Sequence, residues 1–340
     1  MSRDPFISVI VPVHNAAKYL DACLAALLAS VYPAYEVIVV DDASTDGSVQ
    51  LNHQQQATLL RLNRRSGPAA ARNAGAREAH GELLFFVDAD VLVRPETLNL
   101  VASRFSEHPE VTAVFGSYDD QPAAQNFISQ YKNLYHHFTH QRARTEALTF
   151  WAGCGAIRRK AFEAVQGFDE QRFPESSIED IELGHRVISK GYRILLDKSL
   201  QVKHLKRWTF KSLLHSDIFY RALPWSKLIL ETGQITNDLN LRWSDRVSTA
   251  LVGVLLVILP FDPLFPLLLP INAILLAAIL ALNYKLYLFF LRHRGFAFAA
   301  MAFPLQVLYY FYSGFTFAFC CGTYLMNRTP EPAKCAPNEN

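Results

Sequence analysis

The sequence predicts an α/β protein: a mainly parallel sheet flanked by helices, followed by a C-terminal α-helical membrane region. Three observations carry this. Short β-branched apolar runs alternate with runs of helical spacing through the first two hundred residues. Polar clusters stand where three of those runs end. Between residues 247 and 326 only four formal charges occur: Asp262, Lys285, Arg292 and Arg294.

Each element follows in order. Residues 8–13 form a buried-strand run that ends in Pro12-Val13-His14-Asn15. Residues 17–30 place Leu20, Cys23, Leu24, Leu27 and Leu28 on one helical face. Residues 35–40 are a second strand, and 58–62 a third. The Ala-rich stretch 68–80 reads as a helix, with Pro68 in its first turn and Gly81 past its end. Residues 83–87 are a fourth strand. Such an order builds a mainly parallel sheet, and ligands gather at the carboxyl ends of its strands.

Composition narrows the classes. Of 340 residues, 51% are hydrophobic and 19% charged, which excludes a mainly disordered chain. A net charge of +2 gives no sign of a nucleic-acid partner. No pair of the five cysteines is spaced C-x-x-C, so no structural zinc site or disulfide framework is expected.

The chain divides into residues 1–205, a basic and aromatic linker 206–246, a membrane region 247–326 of two to three spans, and a polar tail 327–340. A hairpin over 247–261 and 264–284 is expected, then a third span near 297–320; the short first limb could instead be re-entrant. Arg242, Arg246, Arg292 and Arg294 flank these segments and point to a cytoplasmic face. Cations such as Lys206 and Arg221, mixed with Trp208 and Trp225, suit an interfacial helix on anionic lipid.

The chemistry lies at the strand ends. Asp88-Ala89-Asp90 follows an apolar strand, and alternate residues of an extended chain face one way. Two carboxylates so aimed suit a hard divalent cation, though a solvated acidic turn has the same look. Asp42 sits in a turn-forming cluster, 41–48, where it could accept hydrogen bonds from a nucleobase. Arg72 lies early in the Ala-rich helix and suits phosphate or base edges, or simple surface exposure. Glu179-Asp180 opens a helix, where the dipole favours carboxylates and one of the two could act as a base. Trp151-Ala152-Gly153-Cys154-Gly155 is a Gly-rich turn led by a ring able to stack on a sugar. His204 is a lone imidazole able to complete a metal site.

Taken in order, these motifs resemble an inverting family 2 glycosyltransferase of GT-A fold, anchored in the membrane by C-terminal helices. The resemblance covers residues 6 to about 208. It implies a Rossmann-like catalytic domain, a nucleotide-sugar donor, often a UDP-sugar, and Mg²⁺ or Mn²⁺. By position, Pro12, Val13, Asn15 and Asp42 would hold the nucleoside, and Arg72 would contact the nucleotide. Asp88 and Asp90 would bracket ribose, diphosphate and metal, with His204 as the further metal ligand. Asp180 would be the general base, and Glu179, Trp151, Gly153 and Gly155 would line the donor sugar and acceptor. The Q-x-x-R-W of processive synthases is broken here, because five residues separate Gln201 from Arg207; transfer of one or a few sugars is therefore expected. The acceptor is expected to be a lipid or lipid-linked glycan at the inner plasma membrane. A polyprenyl-phosphate sugar synthase and a non-catalytic nucleotide-sugar binding protein are the alternatives.

Overall fold

The structure is a computed structural model, and it describes residues 4–48, 56–235 and 237–327. The connection 49–55 and the tail beyond 327 lie outside the described residues. The first part runs β1 (Ile7–Val13), α1 (Ala17–Leu28), β2 (Tyr35–Asp41), β3 (Thr58–Arg61), α2 (Gly67–Glu78), β4 (Leu83–Val87), β5 (Val91–Leu92) and α3 (Thr97–Glu107). It continues through β6 (Val111–Tyr118), α4 (Phe127–Arg142), β7 (Glu146–Ala147), β8 (Cys154–Arg158), α5 (Arg159–Ala164), α6 (Glu179–Ser189) and β9 (Arg193–His204).

These strands form one sheet in the order β3-β2-β1-β4-β8-β6-β9-β5, with β7 on β9. The first four are parallel, as strand–helix alternation predicts. Beyond β4 the sheet is mixed: β8 runs antiparallel to both β4 and β6. Strand β4 is apolar throughout, and β1 is apolar but for the buried Ser8, because both their faces are covered. Val9 and Val11 pack toward α1, whereas Ile10 packs toward the alanines of α2.

The C-terminal part begins with α7 (Phe210–His215), a π-helical stretch Ser216–Ala222 and α8 (Leu223–Thr232). There follow α9 (Trp243–Ile258), α10 (Leu268–Leu282), α11 (Tyr284–Arg294) and α12 (Phe296–Asn327). Two stretches, Trp243–Phe261 and Phe296–Asn327, are long and apolar enough to cross a membrane. The second limb of the expected hairpin, 264–284, falls on α10, which together with α11 is likewise long and apolar enough for a broken span or a re-entrant loop. Helix α10 has 15 residues, about 22 Å, short of a bilayer core of about 30 Å. The chain then bends by 69° into α11. The bend has a cause: Asn283 donates to Ser248 Oγ at 2.9 Å and accepts from Tyr310 Oη at 2.7 Å. At the far end of α11, Arg294 donates to Gln130 Oε1 and to the Asp120 carbonyl. These bonds lay α11 against α4. Tyr131, Leu134 and Tyr135 of α4 share one apolar core with Leu286, Phe290 and Phe298, so the sheet and the C-terminal helices are joined through α4.

Candidate active site

Pairing of backbone strands assembles the site. Asp88 and Asp90 leave the carboxyl end of β4, and β5 begins at Val91. Strand β5 pairs with the end of β9 so that Val91 lies opposite His204. The Leu205 N–H then donates to the Asp90 carbonyl at 2.8 Å. Residues over a hundred positions apart thus meet, with His204 Nε2 3.6 Å from Asp90 Oδ2. The Tyr118 ring stacks flat on His204, centroids 4.1 Å apart and planes 10° apart. Trp151 stands edge-on to Tyr118 at 4.9 Å.

On the other side, Arg72 joins two elements. Its Nη2 donates to Asp88 Oδ1 and its Nη1 to Glu179 Oε1, each at 2.8 Å. The guanidinium and Glu179 are both 5% exposed in their side chains. Burial opposes the charge on Arg72, but Asp88, Glu179 and Asp180 hold it firmly protonated. Its Nε is buried without a partner.

Asp180 opens α6 beside Glu179. Its Oδ2 accepts from the Ala152 N–H at 3.1 Å. Helix α6 comes that near because Gly184 has no side chain; a Cβ there would meet the Phe150 nitrogen at 2.4 Å. Burial, and then the charge of Glu179, push the Asp180 carboxyl up to about 7, against the opposing pull of Arg72. Asp88 is also raised, by burial first, against the pull of Arg72. Burial acts the same way on Asp90, but the charge and N–H of His204, with Lys206, hold it below the usual carboxylate range.

Arg72, Asp88, Asp90, Trp151, Glu179, Asp180 and His204 line one cavity of about 580 Å³. Pro12, Val13, Asn15, Asp42, Gly153 and Gly155 are not in its lining. Asp42 is buried, and its carboxylate accepts from the Ser66 and Gly67 N–H groups at 2.6 and 2.8 Å, anchoring the start of α2. Asn15 Oδ1 accepts from the Thr45 N–H at 2.8 Å, so the turns after β1 and β2 are tied together. Gly153 acts from behind: a Cβ would lie 2.5 Å from the Trp151 ring, so glycine lets the indole lie over the turn.

Sequence reasoning missed several lining residues. Lys132, His136 and His140 all face the cavity from α4. Their four-residue spacing is the signal that would have found them, a polar stripe on one helix face. Burial keeps both histidines neutral, with His140 pushed down to about 4. Lys132, pushed down to about 8 by burial, pairs with Asp217. Tyr118, Lys206 and Arg221 also line the space, the last from the π-helical stretch. The segment read as an interfacial linker therefore forms cavity wall.

The donor set suits a divalent metal. Asp90 offers an oxygen, which both magnesium and manganese accept, and His204 an imidazole nitrogen, which suits the softer manganese better than magnesium. Asp88 is committed to Arg72, and no cluster of three or more His, Cys, Asp or Glu forms a ready cage among the described residues.

An α/β sheet whose acidic strand ends open on one cavity is the layout of a GT-A type glycosyltransferase. Residues 8–166 match the family model described as Glycosyl transferase family 2. Glycosyltransferase GlyG of Streptococcus pneumoniae is 31% identical over 147 residues, 42% of this chain and 46% of that protein. The chain thus spans under half the length of this curated relative. Among solved structures, mannosyltransferase PcManGT from Pyrobaculum calidifontis, in complex with GDP-Man and Mn²⁺, aligns at a TM-score of 0.53 and 21% identity. That alignment covers 94% of this chain and 88% of that one. S. aureus TarS 1-349 in complex with UDP-GlcNAc aligns at 0.51 and 18%, covering 96% and 93%. At these identities the structural likeness concerns the fold.

Proposed function

We propose that the protein is a membrane-associated inverting glycosyltransferase. It moves a sugar from a nucleotide-sugar donor, of UDP-sugar type, to a hydroxyl acceptor that is a lipid or lipid-linked glycan. The observation that carries this reading is the shared cavity: a carboxylate held near neutrality, Asp180, opens on the same space as Asp90 and His204.

The chemistry follows from the residues. An acceptor hydroxyl is too weak an acid to ionise alone at pH 7, so a base must take its proton as the bond forms. Asp180 is that base; its raised pKa matches the task. The freed oxygen attacks the anomeric carbon from the face opposite the diphosphate, which inverts it. Asp90 and His204 would hold a divalent cation, Mn²⁺ or Mg²⁺, whose charge offsets that of the departing diphosphate. Arg72 fixes Asp88 and Glu179 in place. Trp151 walls the sugar, and Tyr118 fixes the plane of His204. On this reading Asp42, Pro12, Val13 and Asn15 border the nucleoside, outside the cavity proper. The apolar stretches Trp243–Phe261 and Phe296–Asn327 support anchorage in a membrane; on this reading it is the inner membrane, with the cavity at its cytoplasmic face. A phosphate acceptor would bring no proton for Asp180 to take, which favours the hydroxyl over a polyprenyl-phosphate synthase.

The test is a transfer assay with the full chain in membranes, using labelled nucleotide sugars and Mn²⁺. Label should enter the organic phase, and Asp180→Asn should still bind donor but lose turnover. Full transfer by that variant would defeat the assignment of the base.

A further inference from the structure

The cavity does not end at the carboxylates. It continues to α9 and α12, where Thr249, Ala250, Ser313 and Gly314 line it. These residues are small, and the two helices are the longest apolar ones in the chain. They approach closely there: a Cβ on Gly314 would lie 2.6 Å from the Thr249 methyl group. One continuous space thus runs from a polar, acidic end to a seam between membrane-type helices.

A cation stands between the two ends. The Arg221 side chain lines the cavity and makes no hydrogen bond or close ion pair with another described residue. The neighbouring carboxylate of Asp217 is already engaged by Lys132 and by Tyr312 Oη. The charge of Arg221 acts on Asp217, Asp180, His136 and Tyr118. The nearest strong influences on Asp90 are instead His204 and Lys206. A guanidinium whose N–H groups have no hydrogen-bonded partner among the described residues, beside an apolar wall, is a fork for a phosphate.

We propose that the acceptor is an anionic amphiphile. Its phosphate, which does not react, is held by Arg221. Its hydrocarbon chain lies in the cavity against the wall that α9 and α12 form at Thr249, Ala250, Ser313 and Gly314, and its head-group hydroxyl faces Asp180. This rests on the transferase reading above and names the acceptor class for the same site.

Phospholipids with brominated acyl chains supply the probe, because bromine quenches nearby tryptophan and Trp225 and Trp151 line the cavity. Full-length protein in detergent is titrated with brominated phosphatidylglycerol, brominated phosphatidylcholine and, as a soluble competitor, glycerol phosphate. Phosphatidylglycerol should bind at least tenfold more tightly than phosphatidylcholine. Arg221→Ala should remove that preference, and Arg221→Lys should keep part of it. Thermal unfolding checks that each variant is folded. A preference that survives both Arg221→Ala and Arg221→Gln overturns the proposal. So does competition by glycerol phosphate at the lipid's own concentration, since the chain would then contribute nothing. Stabilisation by UDP with Mn²⁺ is read separately. Its absence alongside an Arg221-dependent lipid preference counts against the transferase reading alone. Its presence alongside an Arg221-independent preference counts against this inference alone.

Discussion

Tyr118 lies flat on the His204 ring, with centroids 4.1 Å apart. The phenol thereby fixes the plane of an imidazole whose Nε2 faces Asp90. Groups that orient a metal-binding histidine change metal affinity by about 10–100-fold when removed. Tyr118→Leu should therefore raise the Mn²⁺ concentration needed for half-maximal activity about tenfold, while Tyr118→Phe should change it little. Free Mn²⁺ measured by its magnetic resonance signal gives the affinity directly, and equal values for both variants would remove Tyr118 from this role.

Asp180 sets a pH dependence. On the proposed mechanism Asp180 is the base and must be ionised, and its carboxyl is pushed up to about 7. Activity should rise with pH through about 7 and level off above it. Asp180→Asn should lower turnover by about 10²–10⁴. The same shift bears on stability. The folded value lies above the ordinary value of about 4, so this group's contribution is present below about 4 and is lost as pH rises through 7. Denaturant unfolding at pH 5 and pH 8 should show that fall in the parent protein and a shallower one in Asp180→Asn.

Arg72 is a buried cation held by two carboxylates. Removing it leaves Glu179 buried and unpaired, a loss of about 3–5 kcal/mol for such a pair. Arg72→Met should unfold at clearly lower denaturant. Arg72→Lys should recover only part of this, because one ammonium cannot reproduce the two-armed bond to Asp88 and Glu179.

Gly153→Ala tests the indole wall. The added methyl would meet the Trp151 ring at 2.5 Å. The ring must move, so the apparent KM for donor or acceptor should rise while the fold persists. The fluorescence maximum of Trp151, read in a background lacking the other three tryptophans, should shift with it.

Much of this was legible in the sequence. The strand and helix runs from Ile7 to Val87 declared themselves by period and by the turn residues between them. Asp88, Asp90 and Glu179-Asp180 stood out as carboxylates at element ends. Their meeting with His204 was not legible from local pattern, because it depends on Val91 pairing with β9 across the sheet. Nor was the π-helical stretch that turns Arg221 inward, since its residues read equally well as an exposed linker. Asp42 shows the opposite limit. Its position marked it as a ligand contact, yet its visible partners are the backbone N–H groups that start α2. The bend at Asn283 was hidden for a related reason: a polar residue ending an apolar run looks like a boundary, and only its bonds to Ser248 and Tyr310 make it a corner.

The shared core between α4 and the C-terminal helices has a practical consequence. Tyr131 and Leu134 lie under Phe290 and Phe298, and Tyr131 Oη donates to Gln306 Oε1 at 2.7 Å. Cutting the chain before α9 would bare that oily face and tear open one side of the reaction chamber. The hydrophobic tail of this protein is thus less a tether for a free-standing catalyst than the missing half of its vessel.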